Sequence, residues 1–436
     1  MVDDFYFRQY LKETVGRVDT RLNGFQSWLI GIDLSEEDAF YYHVCVKGFM
    51  VSVSPLLTHK NLQPGVVMIP QGANNRLLVD IFCACGVSFL CWENKDLQLV
   101  AKQKYETCFA KVQEISEEYV LAENNHWFLI AVLCLCFNKR YQESRHHSLF
   151  WLLQLALRIL EGWVRKLNYQ RVGFELDDMV CPSKPLLNST EKMLLESFVY
   201  NYSIALLQYN PSNESMTSPF QIMEEFRPFL NQKLYDCPAP WMNNPVVGAS
   251  LSVIEIAAKC NWLRLQMPLD ESNTQLAMRL LNSAKYYVSP VLPPQVRTTQ
   301  PEHVQKRLME SCRIARMYAN AAQIFLTKLL DPEMDAADEH IQQLVGRVVD
   351  DLRGLSIHCQ ASSICTWPLS IACTAVRDKK QREYILWRLK NFSNVLKMNT
   401  FINVSQILSF SWGTDLNCGP GWDVLLDQRC YQLFPV

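Results

Sequence analysis

The sixteen cysteines are the most reactive side chains of this 436-residue sequence, and their spacing decides what chemistry they could do. Structural zinc sites take thiolates from closely spaced Cys-x-x-Cys pairs, and no such pair occurs. The tightest pairs, Cys83/Cys85 and Cys134/Cys136, are separated by one residue and lie within apolar runs. A free cysteine among apolar neighbours behaves as a small hydrophobic residue. We therefore expect buried, reduced thiols and no metal cofactor in this chain.

Motifs typical of enzymes are sparse. Ser189 and Lys192 match the Ser-x-x-Lys nucleophile pattern, but two matching positions recur by chance and the companion motifs are missing. The acidic pairs Asp177-Asp178 and Asp350-Asp351 lack the third acid of helical prenyl-diphosphate enzymes, and His146-His147 is typical of a solvated helix end. There is no phosphate loop, Gly-x-Gly-x-x-Gly, Gly-x-Ser-x-Gly or His-Glu-x-x-His. The sequence therefore predicts a protein that is not an enzyme.

Four tryptophans near the carboxyl end are candidates for a binding site. Large apolar side chains, each with one N–H donor, are concentrated at Trp367, Trp387, Trp412 and Trp422. Indoles commonly line sites where an apolar ligand body meets a hydrogen-bond partner, and they also commonly fill the end of a helix bundle. For these four residues, both a ligand-binding site and the packed end of a helix bundle stay open as interpretations. Because the turn over 413–421 is framed by glycines and is free to move, we predict an effector pocket roofed by that turn.

The elements that must position these residues are helical. Apolar residues recur at spacings of three and four along most of the chain, and no strand period of two persists. The stripe from Val304 to Leu329 continues for seven turns and predicts a long central helix. The sequence therefore predicts the all-α class: a large bundle of antiparallel helices without a significant sheet.

Prolines divide this expected bundle. Six prolines between 210 and 245 predict the longest irregular stretch, which would form a mobile loop or lid. We expect one helical regulatory domain over 1–436, with an N-terminal part over about 1–209, the Pro-rich loop over about 210–245 and a C-terminal part over about 246–436. Just before the loop, Asn188 to Glu191 have the order of a helix capping box.

The charge composition of the chain limits the kinds of partner that it could bind. The formal net charge of −2 argues against broad electrostatic binding to nucleic acid. One basic turn, balanced by Asp378 and Glu383, is typical of a solvated helix face. That turn contains Arg377, Lys379, Lys380, Arg382, Arg388 and Lys390.

The longest apolar run, Trp127 to Phe137, is far shorter than the roughly 20 residues of a membrane span. No secretory leader is expected at Met1, so the thiols should stay reduced.

Three stretches in a fixed order resemble a known family. Residues 359–426 contain a Trp-Pro-aliphatic helix start, an acidic-then-basic pair, a helix ending in Trp and an aromatic-acidic closure. These positions are Trp367, Pro368, Asp378, Arg382, Trp412 and Trp422. Residues 54–90 contain a proline loop before a leucine-rich helix, and residues 244–265 contain a polar-Pro-apolar-apolar-Gly helix start. Together they resemble the fungal-specific transcription factor domain of zinc-cluster regulators.

The resemblance implies an all-α regulatory domain of a nuclear transcription factor that controls RNA polymerase II transcription of metabolic genes. Such domains often hold a small-molecule effector, here expected to be apolar or zwitterionic. DNA would be contacted only through a zinc-cluster module of six cysteines, and zinc would be needed only there. That pattern is absent from this chain, either because the module was cut away or because this member lost it.

The resemblance also implies partners. We expect the transcription machinery or co-regulators, a possible homodimer, no membrane, and a location in the nucleus. Some zinc-cluster proteins instead act as structural dimeric scaffolds, for example at a kinetochore. Fold and site chemistry do not distinguish this alternative from an effector-responsive regulator.

Overall fold

The computed structural model describes residues 32–120, 122, 125–139, 147–174, 187–211, 215–413 and 420–433. Every regular element in these ranges is helical and none is a strand, so the predicted all-α class is confirmed. None of the helices in the described part is long and apolar enough to cross a membrane. The single-domain division of the chain and the antiparallel arrangement of its helices stay predictions.

The N-terminal half is built around one buried helix. Its helices are α1 (Glu36–Val44), a π-helical turn (Cys45–Phe49), α2 (Met50–Val53), α3 (Pro64–Val67), α4 (Arg76–Leu90), α5 (Gln98–Val120), α6 (His126–Asn138), α7 (His147–Phe174) and α8 (Ser189–Ala205). Helix α4 packs against α1, the π turn, α5 and α6. Both α4 and α6 are apolar around most of their circumference, which is typical of helices enclosed by others.

Helices α1 and α4 approach each other so closely that one position has no room for a side chain. A Cβ atom placed on Gly86 of α4 would overlap the backbone carbonyl oxygen of Tyr41 on α1. Backbone atoms cannot turn aside as a side chain would, so this crossing requires glycine.

The C-terminal half surrounds the predicted long helix. Its helices are α9 (Pro219–Leu230), α10 (Leu251–Arg264), α11 (Glu271–Lys285), α12 (Pro294–Thr299), α13 (Glu302–Leu330), α14 (Glu339–Arg353), α15 (Thr366–Ala372), α16 (Lys379–Leu396), α17 (Thr400–Trp412) and α18 (Gln428–Leu433). Helix α13 packs against α10, α11, α14 and α15, and its predicted apolar stripe is buried from Leu308 onward. The prediction of a long central helix is confirmed.

The Pro-rich stretch over 210–245 differs from the single irregular loop predicted for it. It contains α9 and a 3-10 turn (Pro240–Asn243), and residues 212–214 lie outside the described residues. Pro219 stands in the first turn of α9, where a missing N–H costs nothing, and Ser218 caps that turn. The apolar residues Ile222, Phe226 and Phe229 are buried, so α9 is a packed helix of the core rather than a lid.

A buried ion pair on α8 lies where that helix meets the segment that leads into α10. The predicted capping box at Asn188 and Glu191 is confirmed, and it starts α8. One turn further on, Lys192 Nζ lies 3.2 Å from the carboxylate of Glu196, with both side chains fully buried. The backbone N–H of Val246 donates to the same carboxylate at 3.1 Å. Helix α8 is thereby tied to the segment that leads into α10.

Candidate functional site

Trp367 lies in the centre of the C-terminal half. Its indole is fully buried and stacks on the ring of Tyr318 with 5.3 Å between the ring centroids. Its Nε1 donates to Oδ1 of Asn261 at 2.9 Å. The three side chains come from α15, α13 and α10, so this tryptophan holds three helices together.

Trp412 and Trp422 lie on two elements that pack against each other, α17 and the 3-10 turn Gly421–Leu425. Both are buried, and both sit against the elements around the 3-10 turn Cys373–Ala375. The indole of Trp412 donates to the carbonyl oxygen of Cys373 at 3.0 Å, while that of Trp422 donates to the carbonyl oxygen of Met334 at 3.2 Å. The hydroxyl of Ser411 donates to the carbonyl oxygen of Gly421 at 2.6 Å and so links the two regions.

Each of these two indoles also faces a cation. The guanidinium of Arg382 lies 5.2 Å from the ring centroid of Trp412, and the ammonium of Lys328 lies 4.7 Å from that of Trp422. Lys328 also pairs with Asp423 at 2.6 Å. Such contacts stabilise an ordered indole. The turn that would roof the predicted pocket includes residues 414–419, which lie outside the described residues.

Trp387 differs from the other three tryptophans because its side chain is exposed to solvent. It lies on the outer face of α16 with 51% of its surface exposed, and its only described ring neighbour is Tyr384 at 5.9 Å. The structure therefore brings Trp412 and Trp422 together, places Trp367 deeper in the bundle, and leaves Trp387 on the surface. None of the four lines any of the cavities described below.

The residues of the motifs considered for catalysis make contacts with other parts of the protein wherever the structure describes them. Ser189 Oγ is 2.6 Å from the hydroxyl of Tyr235, whereas Lys192 is directed at Glu196 and at the carbonyl oxygen of Leu230. The nucleophile and base of a Ser-x-x-Lys site would have to face each other, and these two do not. Asp351 receives two hydrogen bonds from Arg316 at 2.5 and 3.2 Å.

The remaining candidate groups give no metal site in the described part of the chain. All described cysteines are free thiols and all but Cys237 are buried, and burial raises the pKa of Cys260 and Cys373 above its ordinary value. Such thiols are poor nucleophiles and poor ligands. Among these residues no group of three or more His, Cys, Asp or Glu side chains could hold a metal ion. Asp177, Asp178 and His146 lie outside the described residues.

Between the two halves there is a cavity of about 650 Å³, which we call the inter-half cavity. One wall is formed by α1, the π turn and α2, and the other by the end of α16 and the segment around the 3-10 turn Gln360–Ile364. It is lined by His43, Val44, Lys47, Gly48, Val51, Ser52, Phe89, His358, Gln360, Val395, Leu396 and Lys397. Its volume lies within the usual range for small-molecule sites, about 300–1,000 Å³.

The backbone is unusual on both sides of this cavity. On one side of the cavity, the π turn has more residues per helical turn than an α-helix. On the other side, Lys397 has a positive φ of 56°. Both features are uncommon and are over-represented at functional sites. A Cβ on Gly48 of the π turn would lie 2.6 Å from the Phe89 ring, so the glycine lets that ring stand against the wall of the cavity.

The ionisable side chains that line the cavity, among the residues that the structure describes, are lysines and histidines. The ammonium of Lys397 lies 2.7 Å from the carboxylate of Glu93 and 4.9 Å from the ring centroid of Phe89. Burial lowers the pKa of His43 below its ordinary value of 6.5, and the nearby charge of Lys47 lowers it further. A second cleft of about 350 Å³ shares His358 and Gln360 with the first.

Sequence reasoning missed the inter-half cavity because its residues come from four separated segments. The one local hint was a glycine, Gly48, inside a helical stretch of large apolar residues, which often marks a close approach or an irregular turn.

The described residues form an all-α structure with a packed core and a cavity between its halves. The family model of the fungal specific transcription factor domain matches residues 83–434. The chain therefore belongs to that family, whose members are transcription regulators. No curated protein and no solved structure gave a significant match.

Proposed function

We propose that this chain is the effector-responsive regulatory domain of a nuclear fungal transcription factor that controls RNA polymerase II transcription of metabolic genes. DNA would be bound through a zinc-cluster module outside this chain, and the output would pass to co-regulators or the transcription machinery. Membership of the family supports the regulatory role.

One observation supports the effector response in particular: the inter-half cavity takes its two walls from distant parts of the chain. A ligand that binds differently to two arrangements of these walls shifts the equilibrium between them. The result would be a change in the surface presented to co-regulators. The predicted pocket beneath the turn over 413–421, with Trp412 and Trp422, is the other place proposed for an effector.

The test is a tethering experiment. The full chain is fused to an unrelated DNA-binding domain, and reporter transcription is measured in yeast while carbon and nitrogen sources are varied. We expect transcription to change with at least one nutrient condition, and a variant with a filled cavity, Val51→Trp, to lose that change at unaltered protein level. A constant reporter signal together with a stable dimer in solution would favour the structural scaffold instead.

A further inference from the structure

The segment that joins α11 to α12, residues 286–293, carries a cluster of exposed apolar side chains, and we call it the α11–α12 connector. Tyr286 has 82% of its surface exposed, Val288 has 84% and Val291 has 72%. Tyr286 and Val288 are the two most exposed of the large apolar residues that the structure describes. Single exposed apolar residues are common, but three within six positions form a patch that a partner could cover.

Prolines restrict the backbone of the connector. The rings of Pro290 and Pro293 hold φ near about −65°, and the residue before each proline is kept extended by steric contact with the ring. Pro293 itself precedes Pro294 and has φ −54° and ψ 141°, which are the values of a polyproline II helix. The structure has no helical turn over 287–293. The connector therefore follows the polyproline II conformation.

This conformation sorts the side chains into three rows, because a polyproline II helix has about three residues per turn. One row faces the protein: Leu292 is buried, and the hydroxyl of Ser289 donates to the carbonyl oxygen of Cys312 at 3.5 Å. The exposed row consists of Val288, Val291 and Pro294. The half-buried row consists of Tyr287, Pro290 and Pro293. Two of the three rows are thus accessible to a partner.

The same prolines decide how a partner could bind. An extended segment adds a strand to a partner's sheet through alternate backbone N–H groups along one edge. Proline has no N–H, and Pro290 interrupts one edge of the connector while Pro293 interrupts the other. A polyproline II segment needs no such ladder, since it is recognised through its rows of side chains by grooves lined with aromatic rings.

The charged residues around the connector favour an acidic partner. Between Glu271 and Glu302 the sequence contains three cations, Arg279, Lys285 and Arg297, and no acid. Lys285 directly precedes the connector and Arg297 follows it on α12, and both side chains are exposed. Acidic side chains beside a partner's groove would be attracted to these cations and would set the orientation of docking.

We infer that the α11–α12 connector is the docking site for a protein module whose groove is lined by aromatic side chains and flanked by acidic ones. The exposed and half-buried rows would enter the groove, while Leu292 keeps the connector on the domain. Because the connector is already held in this conformation, little conformational entropy is lost on binding. The inference rests on the proposed function for its biological meaning, since such a module would belong to a co-regulator, but docking can be measured without that function.

The first experiment uses known modules as probes. Purified SH3 and WW domains of a yeast proteome, which bind polyproline II segments through aromatic grooves, are titrated with the full chain by biolayer interferometry. We expect at least one domain to bind saturably in the micromolar range, and to lose binding when an aromatic residue of its groove is replaced by alanine. Absence of binding by every domain, or binding that survives the loss of the groove residue, overturns the inference.

The second experiment locates the docking site on the chain. Val291→Glu changes an exposed side chain, so the melting temperature should stay as in the parent protein while affinity for the domain falls about tenfold or more. Val66→Glu is the matched control, because Val66 is also an exposed valine but lies on α3. Equal loss of affinity in the two variants, or unchanged affinity in Val291→Glu, contradicts the assigned surface.

Two further variants test the backbone and the charge. Pro290→Ala releases the restriction on φ and should weaken binding several-fold, whereas Pro70→Ala, at an exposed proline of the 3-10 turn Ile69–Gly72, should leave it unchanged. Arg297→Gln should weaken binding at low salt and have little effect at high salt, where charges are screened. Full affinity in both Pro290→Ala and Arg297→Gln would refute recognition of a basic polyproline II segment.

Failure of this inference can be distinguished from failure of the proposed function. If a domain binds and Val291→Glu abolishes binding while the tethered reporter never responds to nutrients, the docking surface is correct and the proposed function is wrong. If no domain binds while the reporter does respond, the regulatory function stands and the docking surface is wrong.

Discussion

Lys192 and Glu196 form an ion pair one helical turn apart on α8, with 3.2 Å between Nζ and Oε1 and no solvent exposure of either side chain. Burial raises the pKa of Glu196 above its ordinary value, against the opposing effects of Lys192 and the Val246 N–H. Removing water from two charges costs free energy that only their mutual attraction and hydrogen bonds offset. The pair is therefore sensitive to the loss of one partner.

We predict that Lys192→Met lowers the free energy of unfolding by about 3–5 kcal/mol, because it leaves a buried carboxylate without its cation. The double variant Lys192→Met/Glu196→Leu should recover most of that loss. Urea unfolding followed by circular dichroism measures both. The exposed pair Lys102–Glu106 is the control, and Lys102→Met should change stability by less than about 1 kcal/mol. A double variant as unstable as the single one would refute the account.

Gly86→Ala should destabilise the N-terminal half by several times more than an ordinary surface substitution, since its Cβ would overlap the backbone of Tyr41. The matched control is Gly346→Ala on α14, where nothing lies within 4 Å of the added Cβ. That substitution should stabilise by about 0.5–1 kcal/mol, because alanine loses less conformational entropy in a helix than glycine does. The two melting temperatures should move in opposite directions.

The lowered pKa of His43 predicts a pH dependence. As pH falls below 6.5, the unfolded chain takes up a proton at His43 while the folded protein resists it, so stability declines until the folded pKa is reached. His43→Gln should reduce that decline between pH 7.5 and 5.5. His340→Gln, at an exposed position on α14, is the control. Identical slopes in His43→Gln and the parent protein would show that His43 does not cause the decline.

Substitutions of the tryptophans distinguish a role in the core from a role in effector binding. Trp412→Ala removes a buried indole and its bond to Cys373, so it should cost about 3–5 kcal/mol, whereas Trp387→Ala on the exposed face should change stability little. If the pocket beneath the turn over 413–421 holds the effector, Trp412→Ala also abolishes the reporter response while the protein remains folded. A normal response in the folded fraction would place the effector elsewhere.

The basic turn should bind DNA weakly. Two of its six cations are directed into the protein: Arg388 donates to the carbonyl oxygens of Leu352 and Leu355, and Arg382 donates to that of Val376. We expect the affinity for a non-specific duplex to be weaker than micromolar at physiological salt. Fluorescence anisotropy measures it, and tight binding that weakens steeply with salt would contradict this expectation.

Local patterns in the sequence were enough to predict several of the helices. The apolar stripe of α13, the capping box at Asn188 and the proline in the first turn of α15 depend on residues within a few turns of one another, so their consequences can be predicted without a tertiary structure. The ordered motifs over 359–426 also led to the family. The same patterns failed over 210–245, where the prolines suggested a loop although Pro219 is compatible with the first turn of a helix.

Only the tertiary structure decided which of these helical faces are covered. Trp367 is buried and Trp387 is exposed, although both are tryptophans in the same stretch of helices, because burial depends on which distant helix packs against each one. The inter-half cavity depends on the same long-range packing, since Lys47 and Lys397 are 350 positions apart in the chain yet line one space. Helix formation is governed by neighbours in sequence, whereas a cavity and its charge are set by contacts between segments that no local period connects.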